Sequence, residues 1–538
     1  MIRRMSFVVL LLTVSIGVAQ KSDKKNSEFG NVDYLTKAQL RDYLAFIASD
    51  ELEGRDTPSR GLNIAAKYLA TNLSRWGYKP AGDNGTFFQS ILLQRSRVIP
   101  MQTFVGLNGQ KYSFGSEFIS TSIEGNVSAP LVYVGHGYIL KEKNIDPYEG
   151  ISVKGKIMVV LGGFPQGTSR GDFRGKIGIE YDSPANYAKT NGALGIITIP
   201  SARVLGEWEK TKNNVVEKGD LSVPAFIKPD APPAVPSINA SAKLIDALFS
   251  GEEIGVTSMS NRSSADSVLP FALSSEKKVT ISVAVKTDTL FTQNVAAILE
   301  GSDKKLKEEY VAFSAHYDHL GITAPVNGDS INNGADDDGS GTVGLFAMAE
   351  AFPKGERTKR SLLFVWHCGE EKGLWGSKYF VAFPTVPLEK IVTLLNLDMI
   401  GRSKPDMGNE AHNDEMSGGH EIFSIGSMMM SSEIGILNEH VNNSFLKLRL
   451  NYKYDDPNDV NRFFYRSDHY NYAKMGIPII FYFDGAHEDY HKVTDEIGKI
   501  DFDKYLKVVK TVYAVGTRIA NLPKRPVVDK QFSREVID

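Results

Sequence analysis

A chain of 538 residues with 42% hydrophobic side chains has more apolar surface than one core takes up, since single cores stop growing near ~250–300 residues, so at least two domains are expected. The formal net charge of -3 leaves no basic excess to neutralise nucleic-acid phosphates or to hold an anionic membrane, and neither is expected as a partner. A single cysteine, Cys368, excludes an internal disulfide and any cysteine-based structural zinc site.

Residues 1–19 read as a secretory signal, with Arg3 and Arg4 ahead of an apolar stretch from Phe7 to Val18 and the small residues Gly17 and Ala19 before Gln20. The apolar run is shorter than the ~20 residues that span a bilayer. Export to the periplasm or the outside, with no membrane span once the signal is removed, is the expectation. A polar linker follows over 20–31. Thr36 and Gln39 are spaced as a capping box that opens a helix through Leu40, Leu44 and Ile47. Leu62, Ala65, Ala66, Leu69, Leu73 and Trp76 then recur at helical spacing, with Gly77 placed to end that helix. Residues 32–126 are accordingly the first part of a main domain.

From 127 to 265 the texture changes to short apolar runs broken by glycine and proline, such as LVYVGHGY (131–138) and GKIMVVLGG (155–163), which predicts an inserted β-rich domain. From 266 to 525 the main domain resumes. Val279, Ile281, Val283 and Val285 alternate as in a half-buried strand, and strand and helix signals then take turns. This predicts an α/β fold, a mixed, mostly parallel sheet with helices on both faces. Residues 526–538 are a tail.

The chemistry lies at the ends of the strand candidates of this second part. VAFSA runs into His316 and Asp318, SLLFVWHC into Glu370 and Glu371, IVTLLNL into Asp398, and IPIIFYF through a short loop to His491. Ligands of open α/β sheets bind beyond the carboxyl ends of the strands, so these side chains can converge. GADDDGSG (334–341) adds an aspartate from a tight turn between the first two strands. Two histidines and three acidic residues are the donor set that two divalent zinc ions sharing a carboxylate require. One string competes: His487-Glu488-Asp489-Tyr490-His491 fits H-E-x-x-H, which needs both histidines on a core-packed helix. GAHEDYHKVTDEIG has almost no apolar stripe for such a helix. No G-x-S-x-G elbow supports serine chemistry.

Taken in order, SAHYDHLG (314–321), GADDDGSG, GEEKGLWGS (369–377), LNLDMIGR (395–402) and DYHKVTDE (489–496) resemble the metal-site blocks of the family-28 metallopeptidases. ASDELEGR (48–55) and KPAGDNG (79–85) are similar to that family's amino-terminal region. The resemblance implies two Zn2+ per chain, with His316 and Asp398 on separate zincs, Glu371 and His491 completing the two sites and Asp337 bridging them. It also implies Glu370 as general base, Tyr490 as donor to the developing oxyanion, Asp318 as the carboxylate that orients His316, and Arg466 as a substrate contact. DPYEGISVKGKIMVV (146–160) and NYAKTNGALGIITI (186–199) resemble a protease-associated domain. The implied activity is that of an exopeptidase on peptide substrates, foremost an aminopeptidase. A carboxypeptidase using Arg402 and Arg466, a single-zinc glutaminyl cyclase, and a binding protein on the same fold are the alternatives. The polar segment 403–421 is expected to border the substrate entrance.

Overall fold

The computed structural model describes residues 28–173, 176–253, 259, 267–404 and 415–530. The signal reading of 1–19, and residues 405–414 of the expected entrance segment, lie outside them.

A ten-stranded mixed sheet organises the main domain. Its principal strands are Phe88–Val98 (β1), Asp220–Ser222 (β2), Val285–Leu299 (β3), Tyr310–His316 (β4), Ser361–His367 (β5), Ile391–Leu397 (β6), Glu421–Ile425 (β7), Arg449–Asn451 (β8) and Ile479–Phe483 (β9). They lie in the order β2-β1-β3-β5-β4-β6-β9-β7-β8. The central four, β5, β4, β6 and β9, are mutually parallel, while β1, β2 and β3 are antiparallel to their neighbours. Parallel strands buried on both faces carry continuous apolar runs, and LLFVW in β5 is of this kind. The mixed α/β class expected from the sequence is the one observed.

Helices Lys37–Ile47 (α1), Arg60–Arg75 (α2), Gly339–Ala351 (α3) and Phe502–Ala520 (α4) cover one face of the sheet. The opposite face is filled by Phe380, Tyr472 and, from β9, Phe481 and Phe483. Trp366 and Phe346 are fully buried, and side chains of that size each contribute roughly 1.5–3 kcal/mol on burial. The stripe predicted on α2 is buried from Leu62 to Leu73, and Gly77 adopts φ 82° beyond its end. The box expected at α1 is half formed. Thr36 accepts from the Gln39 backbone at 3.2 Å, but the Gln39 side chain donates to Glu350 on α3, a tertiary partner that outcompetes the local one.

The second sheet has nine strands and its own core. It extends beyond the 127–265 expected for the insertion. Phe104–Leu107, Gln110–Ser113 and Phe118–Ser120 precede that range and Lys278–Val283 follows it, yet all four belong to this sheet. The sequence boundary failed because these antiparallel strands alternate like those of the main domain. In the other direction, β2 leaves the insertion to pair with β1. The two crossings between domains run side by side, with Ile99 N donating to Ala284 O at 2.9 Å and Ala284 N to Thr103 Oγ1 at 3.1 Å. Among the described residues no helix is long and apolar enough to cross a membrane.

Candidate metal centre

The central parallel strands end on one edge, and each delivers acidic or imidazole groups there. His316 closes β4, Glu370 and Glu371 follow β5, Asp398 follows β6, and His491 lies in the loop after β9. Asp337 comes from the turn ahead of α3. His316 Nε2 stands 3.3 Å from Asp337 Oδ1 and 3.5 Å from Asp398 Oδ1. His491 Nε2 stands 3.3 Å from Asp337 Oδ2 and 3.1 Å from Glu371 Oε2. Asp337 is therefore shared by two groups of three donors. Donors around a tetrahedral zinc at ~2.0–2.2 Å lie about 3.3–3.6 Å apart, close to the His316 and His491 distances; the groups whose donor atoms all lie within 4.8 Å of one another are His316, Asp337 and Asp398, and His319, Asp337 and Glu371. Asp337 Oδ2, although enclosed, has no hydrogen-bond partner, which fits an oxygen reserved for a cation.

The electrostatics agree. Burial alone would raise Asp337, yet His316, His319 and His491 hold it well below the usual carboxylate range. Against the pull of burial, Asp337 and Glu371 raise His491 to about 10. Glu370, with one oxygen 3.9 Å from His316 Nε2, is pushed well above its ordinary value by burial; His316 opposes the shift, and Glu371 and Asp398 add to it. A cavity that draws protons onto its imidazoles draws small cations for the same reason, and a bound metal displaces those protons.

The turn is held from several sides. Asp338 caps α3 by accepting from Gly341 N at 2.8 Å, and also accepts from Met399 N at 3.1 Å and His316 N at 3.2 Å, joining three loops. Asp495 accepts from Asp337 N at 3.0 Å. Gly334, at φ 55°, lies so close to the His319 ring that a Cβ there would come within 2.5 Å of it.

Three contributors escaped the sequence reading. His319 is fully enclosed, and its Nδ1 lies 2.8 Å from Glu371 Oε1, on the oxygen opposite His491. Ser467 Oγ donates to Asp398 Oδ2 at 2.6 Å and accepts from Asn396 Nδ2 at 3.0 Å. Arg55 is entirely buried without a salt bridge among the described residues. Its guanidinium donates to the carbonyls of Ile47, Tyr317, Asn333 and Gly334, joining the loop after β4 to the turn that carries Asp337. The only sequence signal for Arg55 was its place in ASDELEGR, and for Ser467 its place beside Arg466.

Other expected residues fall as follows. Asp318 does not contact the His316 ring by its carboxylate, which lies 3.7 Å away; its backbone oxygen, at 3.1 Å from Nδ1, is the nearer partner. The Asp318 carboxylate accepts from Glu370 N at 3.2 Å instead. Tyr490 stacks on His491 with ring centroids 3.8 Å apart, and its hydroxyl is 3.4 Å from the Arg466 guanidinium. Both border a small cavity that reaches Asp337, Glu370 and Asp398 and has Met399, Phe463, Phe481 and Phe483 on its apolar side. Arg402 is buried and donates to Asp489 at 3.0 Å, so it is not at the cavity. The H-E-x-x-H string forms no helix: His487 turns to Asp336 at 3.2 Å while His491 faces Asp337 and Glu371, so the two histidines do not share a site. Cys368 is buried and unpaired.

Residues 294–516 match the model of Peptidase family M28. Leucine aminopeptidase 2 of Trichophyton equinum is 26% identical over 250 residues, 46% of this chain and 44% of that protein. A probable zinc metalloprotease of Leptosphaeria maculans is 30% identical over 115 residues, 21% of this chain and 26% of that protein. The chain thus spans less than half the length of these relatives. Among solved structures, an aminopeptidase from Aneurinibacillus sp. strain AM-1 is 19% identical, with a TM-score of 0.53 over 93% of this chain and 97% of that one. This likeness is one of fold.

Proposed function

Residues 294–516 form a peptidase family M28 domain, and from that premise we propose that the protein is a zinc-dependent aminopeptidase that removes N-terminal residues with apolar side chains. The observation that carries this reading is Glu370 beside two donor triplets that share Asp337, in a cavity with Phe463, Phe481, Phe483 and Met399 along one side. In the proposal His316, Asp337 and Asp398 hold one zinc, and His491, Asp337 and Glu371 the other. A zinc pair there supplies Lewis-acid polarisation of the scissile carbonyl and acidifies the attacking water.

The chain's own groups do the rest. Glu370 takes a proton from the attacking water as the new C–O bond forms, and delivers it to the amide nitrogen as the C–N bond breaks. Its raised proton affinity suits a group that must hold that proton between the two steps. The Tyr490 hydroxyl donates to the carbonyl oxygen as charge develops on it. Phe463, Phe481, Phe483 and Met399 receive the substrate's first side chain, and the carboxylates at the cavity mouth attract its ammonium group. Arg466 packs at 5.0 Å over the Phe463 ring and next to the Tyr490 hydroxyl, so we give it the placing of Tyr490 rather than the capture of a terminal carboxylate. Export is part of the proposal and rests on the leader-like residues 1–19.

The test is hydrolysis of leucine p-nitroanilide and of its N-acetylated form by the zinc-loaded protein, alongside Glu370→Gln and Glu488→Gln. Turnover of the free amine only, lost in Glu370→Gln and kept in Glu488→Gln, is the expected result. Loss in Glu488→Gln alone would move the site to the H-E-x-x-H string. Cleavage of the acetylated form at an equal rate would exclude recognition of the free amine.

A further inference from the structure

The cavity lined by Phe463, Phe481 and Phe483 opens beside His316 and Asp398. A second, larger cleft of about 500 Å³ shares no wall with it. Its main-domain walls adjoin the other donor triplet: Leu320 follows His319, Lys372 follows Glu371, and Asp56 precedes Thr57, whose hydroxyl accepts from Gly369 N at 3.1 Å. Leu320 and Lys372 are chain neighbours of His319 and Glu371, so the cleft and the site are lined from the same loops. The wall opposite is built by the insertion, through Glu217, Lys218 and Leu221 around β2.

Arg95 stands in this cleft. It lies on β1 directly opposite Leu221 of β2, on the same strand face as Ile91 and Leu93. Those two are wholly buried in the main core, and Arg95 continues their row past the core's edge. Its Nε is buried without a hydrogen-bond partner, and Arg95 forms no ion pair among the described residues. Of the other cations nearby, Lys372 pairs with Asp56 at 2.7 Å and Arg97 is taken by Asp288, while Lys218 also lines the cleft from the insertion. Glu53 and Glu217 also line the cleft, so it is no general trap for anions. Arg95 offers one directed site for a single acid group, and guanidinium geometry suits a carboxylate.

Resting on the aminopeptidase reading, we propose that this cleft binds the part of the peptide beyond the scissile bond, and that Arg95 receives its terminal carboxylate. The insertion then takes part in selecting substrate. An extended peptide advances ~3.3–3.6 Å per residue, so a cation fixed at one place favours peptides of one short length with a free C-terminus.

The experiment compares kcat/KM for leucyl-oligoglycines of increasing length, as free acids and as C-terminal amides, using the zinc-loaded full chain, Arg95→Gln and Arg95→Lys. The expected result is a preference for the acid of on the order of tenfold at one chain length, expressed in KM. Arg95→Gln should erase the preference and Arg95→Lys restore part of it. Because the ratio of acid to amide is read within each protein, a partly unfolded variant does not distort it. Equal values for acids and amides at every length in the wild type, or an unchanged ratio in Arg95→Gln, would overturn the proposal. Leucine p-nitroanilide has no terminal carboxylate, so its turnover by the wild type separates the two claims. Cleavage without acid preference sinks this inference alone, and no cleavage sinks the aminopeptidase reading as well.

Discussion

Both sheets of this protein contain adjacent parallel strands, but among the described residues only one of them gathers acidic and imidazole groups at its strand ends. In the main sheet, β4, β5, β6 and β9 run out into His316, Glu370 and Glu371, Asp398 and the loop to His491. In the second sheet, Gly125–Tyr133, Ile157–Leu161 and Gly195–Ile199 are also parallel, yet they run out into Gly135-His136-Gly137, Gly162-Gly163 and Pro200-Ser201. The architecture supplies the crevice in each case, and the side chains decide whether it becomes a site. The surrounding structure differs in the same way. Around the first edge, buried groups such as Asp338, Ser467 and Arg55 are spent on holding Asp398 and the backbone of the surrounding loops; the second sheet is stabilised chiefly by aliphatic packing.

The contrast can be broken most sharply at Glu370. Glu370→Gln should lower kcat by about 10³-fold, within the range for loss of a positioned general base, while metal content and thermal midpoint stay near wild type. His136→Ala, at a strand end of the second sheet, should leave kcat within about twofold. Next in size is Arg55→Met, which strands carbonyls of the two ligand-bearing loops. Urea unfolding should show a loss of on the order of 3 kcal/mol, with weaker zinc retention against a chelator. Ser467→Ala frees Asp398 from its hydroxyl partner. A fall of about tenfold in zinc affinity, measured by competition with a chromophoric chelator, is expected of a lost group of this kind.

The smallest effect is a pH term away from the ligands. His469 is buried against Phe481, and burial lowers it to about 3. Its folded value is depressed below the ordinary ~6.5, so its neutral form supports the fold above that value and the support drains away as pH falls toward 3. Between pH 7 and pH 6 the loss is about 0.7 kcal/mol, and His469→Gln should flatten the unfolding midpoint over that interval. An equally steep decline in the variant would assign the acid sensitivity elsewhere.

The centre was legible to the extent that it was linear. His316, Glu370, Glu371 and Asp398 stood out because each follows an apolar run, and the acidic turn preceded a clear helix pattern. Ser467, His319 and Arg55 act through contacts that strand periodicity does not encode. Arg55 lies 278 positions from Asn333 and 8 from Ile47, two of the carbonyls it serves. Arg402 illustrates the reverse error. A free cation and a buried one read alike in sequence, and only its contact with Asp489 removes it from the substrate side. The insertion's limits were blurred for a related reason, because Val279, Ile281 and Val283 alternate as a strand should whichever sheet they join.

The paired crossings at Ile99–Thr103 and Ala284 make the second domain a cassette. Its entry and exit are neighbours held by a backbone hydrogen bond and by one from Ala284 N to the Thr103 hydroxyl, so a short turn from residue 99 to 284 would close the main domain over the gap. Such a deletion would also strip β2 from the sheet edge and open the wall that faces Arg95. In terms of descent, a module with adjoining ends can be gained in one step, and what it lays against the host is the strand β2 with Val223 and Phe226 behind it.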